Sequence, residues 1–289
     1  MNLHTFVQAL EEILPPATAM KGDRIGLQLQ SGRIKISRLL LTMEVTDSVA
    51  DEAIERNADC IVSFHPLIFS SLTTLQETER VGRICTRLIQ HNIALIVAHT
   101  NFDSYAHGTS SIIAEKLGFH KESFLVPDGQ HEGFGMGIVA LLNAPLSMLQ
   151  LAEHVRATLH SPVRFGNGKY TDSQEMVRRV AIVGGSGASF IDDAILVQAD
   201  AFITADIKYH DFHRTQGIIG LVDVGHYEME QFVPEGLEKV VRIICQQEAS
   251  ELVIMRSECV PNPIRYVPNG AEYQAAQAHV LKSSALQEE

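Results

Sequence analysis

The chain has few cysteines, and it lacks a long apolar run. Its 289 residues include four scattered cysteines with no C-x-x-C pair, so neither a disulfide framework nor a thiolate metal site is expected. No apolar stretch approaches the roughly 20 residues that span a bilayer. Residues 1–15 predict an amphipathic helix rather than a signal peptide. We therefore expect a cytoplasmic protein without a membrane segment.

Positive charge is also scarce. The chain has 23 Lys and Arg residues against 35 Asp and Glu residues, a net charge of -12. A field of this sign repels phosphate backbones and anionic lipid, so general binding to nucleic acid or to membrane surfaces is not expected. With 45% hydrophobic residues, the chain can bury a substantial core in one large domain or in two smaller ones.

Short apolar runs alternate with helical patterns from residue 36 onward, which is typical of βαβ units that form a mainly parallel sheet. A polar, glycine-containing stretch at residues 119–137 breaks this pattern, and we interpret it as a crossing between two modules. The sequence predicts an α/β fold of two modules with mainly parallel sheets. Residues 1–119 and 220–289 would form the first domain, and residues 120–219 a second domain inserted into it.

Histidines and carboxylates follow several of the predicted strands at their carboxyl ends. His65 follows the second strand, His99 and Asp103 follow the third, and His226 and Glu230 follow a later one. Ligands collect at this edge of open α/β sheets because loops from several strands converge there. The H-x-x-x-E spacing also places His226 and Glu230 on one helix face, which suits two ligands of one metal. The joint placement favours a metal site in the crevice.

Each of these residues also has a purely structural interpretation. His65 could be hydrogen-bonded at a strand end, and Asp103 could cap the helix that follows it. A histidine and a glutamate four residues apart are often only a surface contact. A protein without metal, whose histidines are hydrogen-bonded crevice residues, therefore stays an alternative.

Two further polar segments have open interpretations. The Gly-Gly-Ser-Gly segment at 184–187 could offer backbone N–H groups to a phosphate, but it lacks the Lys-Ser/Thr of a P-loop, which favours a tight strand-to-helix turn. A cluster at residues 204–213 that includes Lys208 and His210 could form a substrate wall or a solvated loop. No Ser or Cys lies in a nucleophile-elbow context, so covalent acyl transfer is not expected.

Five segments carry a resemblance to a known family. They are V-S-F-H-P-L-I-F at 62–69, A-H-T-N-F-D at 98–103, G-G-S-G at 184–187, I-T-A-D-I-K-Y-H at 203–210 and D-V-G-H-Y-E-M-E at 223–230. In this order they resemble the Nif-three-like family, also called GTP cyclohydrolase 1 type 2 homologues. The resemblance implies a two-domain α/β protomer, a dinuclear metal centre between the domains and a homohexameric ring.

The resemblance also implies a ligand set. By position, the metal ligands are His65, Asp103, His226 and Glu230. Many family members have His-His-Pro where this chain has Phe64, His65 and Pro66, so one expected imidazole is absent. One or two divalent ions per protomer are therefore expected, and imidazole with carboxylate accommodates zinc, iron, manganese or cobalt.

Two functions are consistent with such a site. A metal lowers the pKa of bound water from about 15.7 toward about 7, which favours hydrolysis of a purine nucleotide ring or of a phosphoester. In this hypothesis His99 relays a proton or orients a ligand, and Lys208 or His210 contacts an anionic substrate. The alternative is a non-catalytic, metal-dependent regulatory or protein-binding hexamer in which the metals are structural.

Overall fold

The computed structural model describes residues 1–170, 175–260 and 262–266, and within them it contains eleven strands and ten α-helices. The strands are β1 (Gly26–Leu29), β2 (Arg38–Thr42), β3 (Cys60–Ser63), β4 (Ala94–Val97), β5 (His120–Pro127), β6 (Gly135–Leu146), β7 (Val163–Gly166), β8 (Val177–Ser186), β9 (Ala201–Ala205), β10 (Gly220–Val224) and β11 (Val253–Arg256). The helices are α1 (Leu3–Ile13), α2 (Asp47–Glu55), α3 (Arg80–Gln90), α4 (Thr100–Asp103), α5 (Thr109–Leu117), α6 (Met148–Leu159), α7 (Ile191–Leu196), α8 (Tyr209–Arg214), α9 (His226–Glu230) and α10 (Val233–Gln247). None of these helices is long and apolar enough to cross a membrane.

The first sheet has five strands in the order β1-β4-β3-β2-β11. All of its pairs are parallel except β1 with β4, so the predicted mainly parallel sheet is confirmed here. Alternate side chains of β2 enter two different cores. Leu39 and Leu41 pack in a core shared with α1 and α10, and Leu40 packs in a core shared with α2 and α3. Burial on both faces explains why these strands are continuous apolar runs.

The second sheet has six strands in the order β5-β6-β8-β9-β10-β7. Only the β8, β9 and β10 neighbours are parallel, and the three outer pairs are antiparallel. This sheet is therefore mixed rather than mainly parallel. The stretch at 119–137, interpreted above as a domain crossing, contains β5 and the start of β6. The sequence does not predict β5 as a strand, because β5 lies at the edge of the sheet and its side chains are mostly exposed and polar. It therefore shows no apolar alternation.

The predicted boundary between residues 219 and 220 cuts this second sheet. Residues 220–224 form β10, which pairs with β9 in parallel and with β7 antiparallel, so they do not belong with the first sheet. The short helix α8 joins β9 to β10 and returns the chain to a neighbouring position in the same sheet. The chain rejoins the first sheet only at β11, which pairs with β2.

Asp59 holds the start of β2 against the start of β3. Its buried carboxylate accepts hydrogen bonds from the backbone N–H of Ser37 at 2.8 Å, from the Ser37 hydroxyl at 2.8 Å and from the backbone N–H of Arg38 at 3.0 Å. It also pairs with the Arg33 guanidinium at 2.9 Å. Burial by itself raises the pKa of Asp59, but these donors outweigh it, and the pKa lies below its ordinary value.

Replacing Asp59 by Asn is expected to lower the free energy of unfolding by about 2 kcal/mol near neutral pH, because charge-assisted hydrogen bonds are lost. A lowered folded-state pKa means that the stabilisation is complete above the unfolded-state pKa of about 3.9 and is lost as the pH falls through the folded-state value. Urea denaturation should therefore show a constant difference between wild type and variant at pH 6 to 8 and a shrinking one below about pH 4.

The control for Asp59 is Glu12→Gln, because the Glu12 side chain is exposed on α1. This variant should change the free energy of unfolding by less than about 0.5 kcal/mol, both at about pH 3 and at about pH 7. An Asp59→Asn difference that is equal at pH 3 and pH 7 would contradict the assignment.

Candidate metal centre

Three predicted site residues converge where the two sheets meet. One ring nitrogen each of His65 and His226 and one carboxylate oxygen of Glu230 lie within 4.8 Å of one another. His65 follows β3 of the first sheet, whereas His226 and Glu230 lie on α9, directly after β10 of the second sheet. This group, which we call the His-His-Glu cluster, therefore depends on the packing of both sheets.

Glu230 carries a buried carboxylate oxygen that contacts two imidazoles but has no hydrogen-bond partner among the described residues. Its Oε2 lies 3.1 Å from Nε2 of His65 and 3.0 Å from Nε2 of His226. Neither contact has hydrogen-bond geometry, so Oε2 has no hydrogen-bond partner among the described residues. Buried carboxylate oxygens are normally bonded, because an unpaired one costs free energy. A cation held by this oxygen and the two imidazole nitrogens would satisfy it, so the residues fit a metal ion.

Asp103 supplies a second orphaned oxygen nearby. The side chain is half-buried at the end of α4, and among the described residues its buried Oδ1 atom also lacks a hydrogen-bond partner. Burial, followed by repulsion from the Glu230 carboxylate, raises the pKa of Asp103 to about 7. Asp103 is not within the 4.8 Å of the His-His-Glu cluster. Its role as a fourth ligand stays a prediction, supported by the unpaired oxygen and by the repulsion that a shared cation would relieve.

A carboxylate orients each imidazole of the cluster. Glu44 Oε2 lies 3.1 Å from Nδ1 of His65, and Asp206 Oδ2 lies 2.7 Å from Nδ1 of His226. In neutral histidines, such acceptors place the proton on Nδ1 and leave the Nε2 lone pair free for a metal, as is usual for metal-binding histidines.

The cluster attracts positive charge strongly. Burial lowers the pKa of His65, but Glu230 and Glu44 outweigh it and raise the pKa to about 10. The pKa of His226 is raised to about 9, mainly by Glu230 and against burial. Burial raises the pKa of Glu230, but the two imidazoles lower it to about 2. Metal binding requires the neutral imidazoles, so a divalent ion would take the place of these protons.

His99 lies next to the cluster but outside it. Its ring centroid is 5.5 Å from that of His65, and its Nδ1 lies 3.0 Å from both carboxylate oxygens of Asp23. Asp23 also accepts hydrogen bonds from the backbone N–H and the hydroxyl of Thr100. Sequence reasoning missed Asp23 because it is 76 residues from His99 and lies in a loop without periodicity.

Phe64 occupies the position at which the family resemblance implies an additional histidine. The ring is fully buried, with centroids 5.0 Å from His65, 5.1 Å from His99 and 6.3 Å from Phe102. This position offers no ligand atom and belongs to the apolar core below the cluster.

The Gly-Gly-Ser-Gly segment is largely strand rather than turn, since β8 continues to Ser186. Two of its N–H groups are already bonded within the protein, from Gly187 to Thr204 Oγ1 and from Gly184 to Ser110 Oγ, which disfavours a phosphate cradle. Gly185 instead passes close to the cluster. It has a φ of +65°, and a Cβ there would lie 2.3 Å from Glu230 Oε1.

The two residues predicted to contact an anionic substrate lie on the surface, in the segment that follows Asp206. Lys208 precedes α8, and His210 lies in its first turn, where its ring contacts Tyr209 with centroids 5.5 Å apart. Both side chains are exposed. Neither belongs to the His-His-Glu cluster. Asp206, two residues before Lys208, connects this loop to the cluster through His226.

The two sheets of this α/β fold, with the His-His-Glu cluster where they meet, define the chain as a candidate metal-binding protein. A family model described as Duf34/NIF3 (NGG1p interacting factor 3) matches residues 1–263. The chain therefore belongs to this family, which confirms the resemblance found in the sequence.

Individual relatives agree with this assignment. A "GTP cyclohydrolase 1 type 2 homolog" of Clostridium perfringens is 30% identical over 262 residues, covering 87% of this chain and 98% of the relative. The protein of the same name from Streptococcus pneumoniae is 31% identical over 268 residues, covering 90% and 98%. The crystal structure of Staphylococcus aureus protein SA1388 matches with a TM-score of 0.83 and 27% identity, covering 92% of this chain and 99% of that one.

Proposed function

We propose that this protein is a metal-dependent hydrolase. The observation that carries the proposal is the buried Glu230 Oε2, which has no hydrogen-bond partner in the described part of the chain and lies about equally far from two imidazole nitrogens. Donors arranged in this way suit a divalent ion. The proposed ligands are His65, Asp103, His226 and Glu230, with one or two ions of zinc, iron, manganese or cobalt per protomer.

A bound divalent ion would act as a Lewis acid and lower the pKa of a coordinated water. The protein's own residues would orient and exchange protons around it. Glu44 and Asp206 hold the two ligand imidazoles in position. His99, fixed by Asp23 and adjacent to His65, would relay a proton or orient a ligand through its second ring nitrogen.

The proposed substrate is a nucleotide or a phosphoester. Lys208 and His210 are exposed in the segment that follows Asp206, and in this proposal they contact the anionic part of such a molecule. The printed name of the two relatives, "GTP cyclohydrolase 1 type 2 homolog", makes a purine nucleotide the first substrate to test. We further propose that the active form is a cytoplasmic homohexamer, as the family resemblance implies.

The test measures turnover of GTP and of bis(p-nitrophenyl) phosphate by protein reconstituted with each of the four metals. We expect His99→Gln to keep its metal but to lose at least about hundredfold in kcat, because a general acid or base contributes this much. His91→Gln is the control, since His91 is an exposed histidine at the end of α3, and it should keep the wild-type rate.

Two outcomes would contradict the hydrolase. One is no turnover of either substrate by fully metallated protein. The other is turnover that His99→Gln leaves unchanged. If loss of metal changed the oligomeric state while no turnover was found, the regulatory, protein-binding hexamer would replace the hydrolase.

A further inference from the structure

A second cavity lies away from the His-His-Glu cluster. It has a volume of about 800 Å³ and opens between β7, the loop that follows it and α8. This volume is within the usual range of small-molecule sites, about 300 to 1,000 Å³. None of the proposed metal ligands lines it. We call it the β7 pocket.

The β7 pocket is lined by positive charge in an acidic protein. Its eleven described lining residues include the cations Arg164 and Lys169, and none of the eleven is Asp or Glu. Over the whole chain, acidic residues outnumber Lys and Arg by 35 to 23. Among the described residues, Lys169 Nζ has no acidic partner and lies 5.2 Å from the ring centroid of Tyr170. Because Asp223 balances the charge of Arg164, the Lys169 ammonium supplies the net positive charge that attracts an anion.

Arg164 is held in a fixed orientation. Its Nε donates to Asp223 Oδ2 at 2.7 Å, and its Nη2 donates to the carbonyl of Ile207 at 2.9 Å. Asp223 is buried and also accepts from the backbone N–H of Ile207 at 2.9 Å. The guanidinium is therefore positioned before any ligand arrives, and two-thirds of the side chain stays exposed toward solvent. Preorganisation of this kind reduces the entropy lost on binding.

Aromatic rings line the same cavity. Tyr209 is 69% exposed and Phe165 is 39% exposed. The ring centroid of Phe212 lies 5.8 Å from the guanidinium carbon of Arg164. Tyr209 also packs edge-on against His213, with ring centroids 4.6 Å apart. Exposed rings beside cations offer stacking faces to a planar ligand and ionic contacts to its charged group.

The backbone that borders the pocket is tightly packed. Gly168 has a φ of +58°, and a Cβ there would lie 2.2 Å from the carbonyl carbon of Ile219. The Gly168 carbonyl also accepts a hydrogen bond from the N–H of Gly217 at 3.1 Å. Only glycine fits at residue 168, so the loop after β7 has a defined position relative to β10.

From these features we infer that the β7 pocket binds an aromatic anion of nucleotide size, with the ring against Tyr209 and Phe165 and the anionic group on Lys169 and Arg164. This site is separate from the proposed metal centre and does not depend on the hydrolase activity. The two are connected through the β9–α8 loop, in which Ile207 contacts the pocket side and Asp206 orients His226.

The test is calorimetric titration of the full-length, metal-containing protein with adenosine 5′-monophosphate. Adenosine and ribose 5-phosphate serve as probes that lack the anion or the ring. We expect the monophosphate to bind at least about tenfold more tightly than either probe, since stacking and charge each contribute a factor of this size. Lys169→Ala and Tyr209→Ala should each weaken binding by about tenfold or more.

The control is Lys35→Ala, because Lys35 is an exposed lysine outside the pocket, and it should leave the affinity unchanged. Lys169 and Tyr209 are exposed, so circular dichroism is expected to show that both pocket variants remain folded. No binding of the monophosphate would overturn the proposal. Binding that survives in both pocket variants but is lost in Glu230→Gln would also overturn it, because the ligand would then occupy the metal centre.

Discussion

Replacing Glu230 by Gln is expected to lower the metal affinity by at least about hundredfold, which exceeds the effect typical of residues that only orient a ligand. The variant keeps the volume of the side chain but removes the negative charge that faces two imidazole nitrogens at 3.0 and 3.1 Å. It also removes the largest cause of the raised pKa of His226. The neutral amide compensates a divalent ion poorly, so the site loses both a strong ligand and its charge balance.

The measurement is metal content per protomer by mass spectrometry, on protein purified without chelators or a histidine tag. The matched control is Glu228→Gln. Glu228 is buried on the same helix α9, but its carboxylate accepts from Asn262 Nδ2 at 2.8 Å and lies outside the cluster. We expect wild-type metal content in the control and none in Glu230→Gln. Equal metal content in the two variants would show that the ion is held elsewhere.

The residues of the His-His-Glu cluster were predictable, because the ends of apolar strands can be located in the sequence. His65 follows the apolar strand β3, and His226 and Glu230 lie on the helix after the apolar strand β10, at the strand ends where ligand-binding residues collect in α/β sheets. That the ends of β3 and β10 meet could not be predicted in this way, because the two strands belong to different sheets. The structure brings these three residues within 4.8 Å of one another. What orients them was less visible. The pairing of Asp23 with His99 joins residues 76 positions apart, and no local pattern predicts a contact over that distance.

The fold was predictable in the same uneven way. The α/β class and the parallel first sheet follow from buried apolar runs such as β2 and β9, whose residues are almost all buried. The edge strand β5 could not be predicted from an apolar run, because only one of its eight residues is buried. Residues 220–224, which the sequence placed with the first domain, form β10 of the second sheet, since an apolar run carries no information on which neighbours it pairs with.

Replacing Gly185 by Ala is expected to disrupt the metal centre although Gly185 offers no ligand atom. The residue has a φ of +65°, a conformation that costs L-residues about 1 to 2 kcal/mol. A Cβ would lie 2.3 Å from Glu230 Oε1 and 3.5 Å from His226 Cε1. Because Glu230 is buried and two imidazoles pack against its other oxygen, its carboxylate can move away only by abandoning its position in the cluster.

For Gly185→Ala we expect metal affinity to fall by at least about tenfold, as it does when a residue that orients a ligand is displaced. We also expect the free energy of unfolding to fall by about 2 kcal/mol, because the residue at 185 would be held in a strained conformation. Gly129→Ala is the matched control, because no atom lies within 4 Å of its added Cβ and its φ is not positive. Metal content and urea denaturation measured on both variants separate the two effects. If Gly185→Ala lost stability but bound metal like the control, the carboxylate of Glu230 would have room to move, and its position would not be what defines the site.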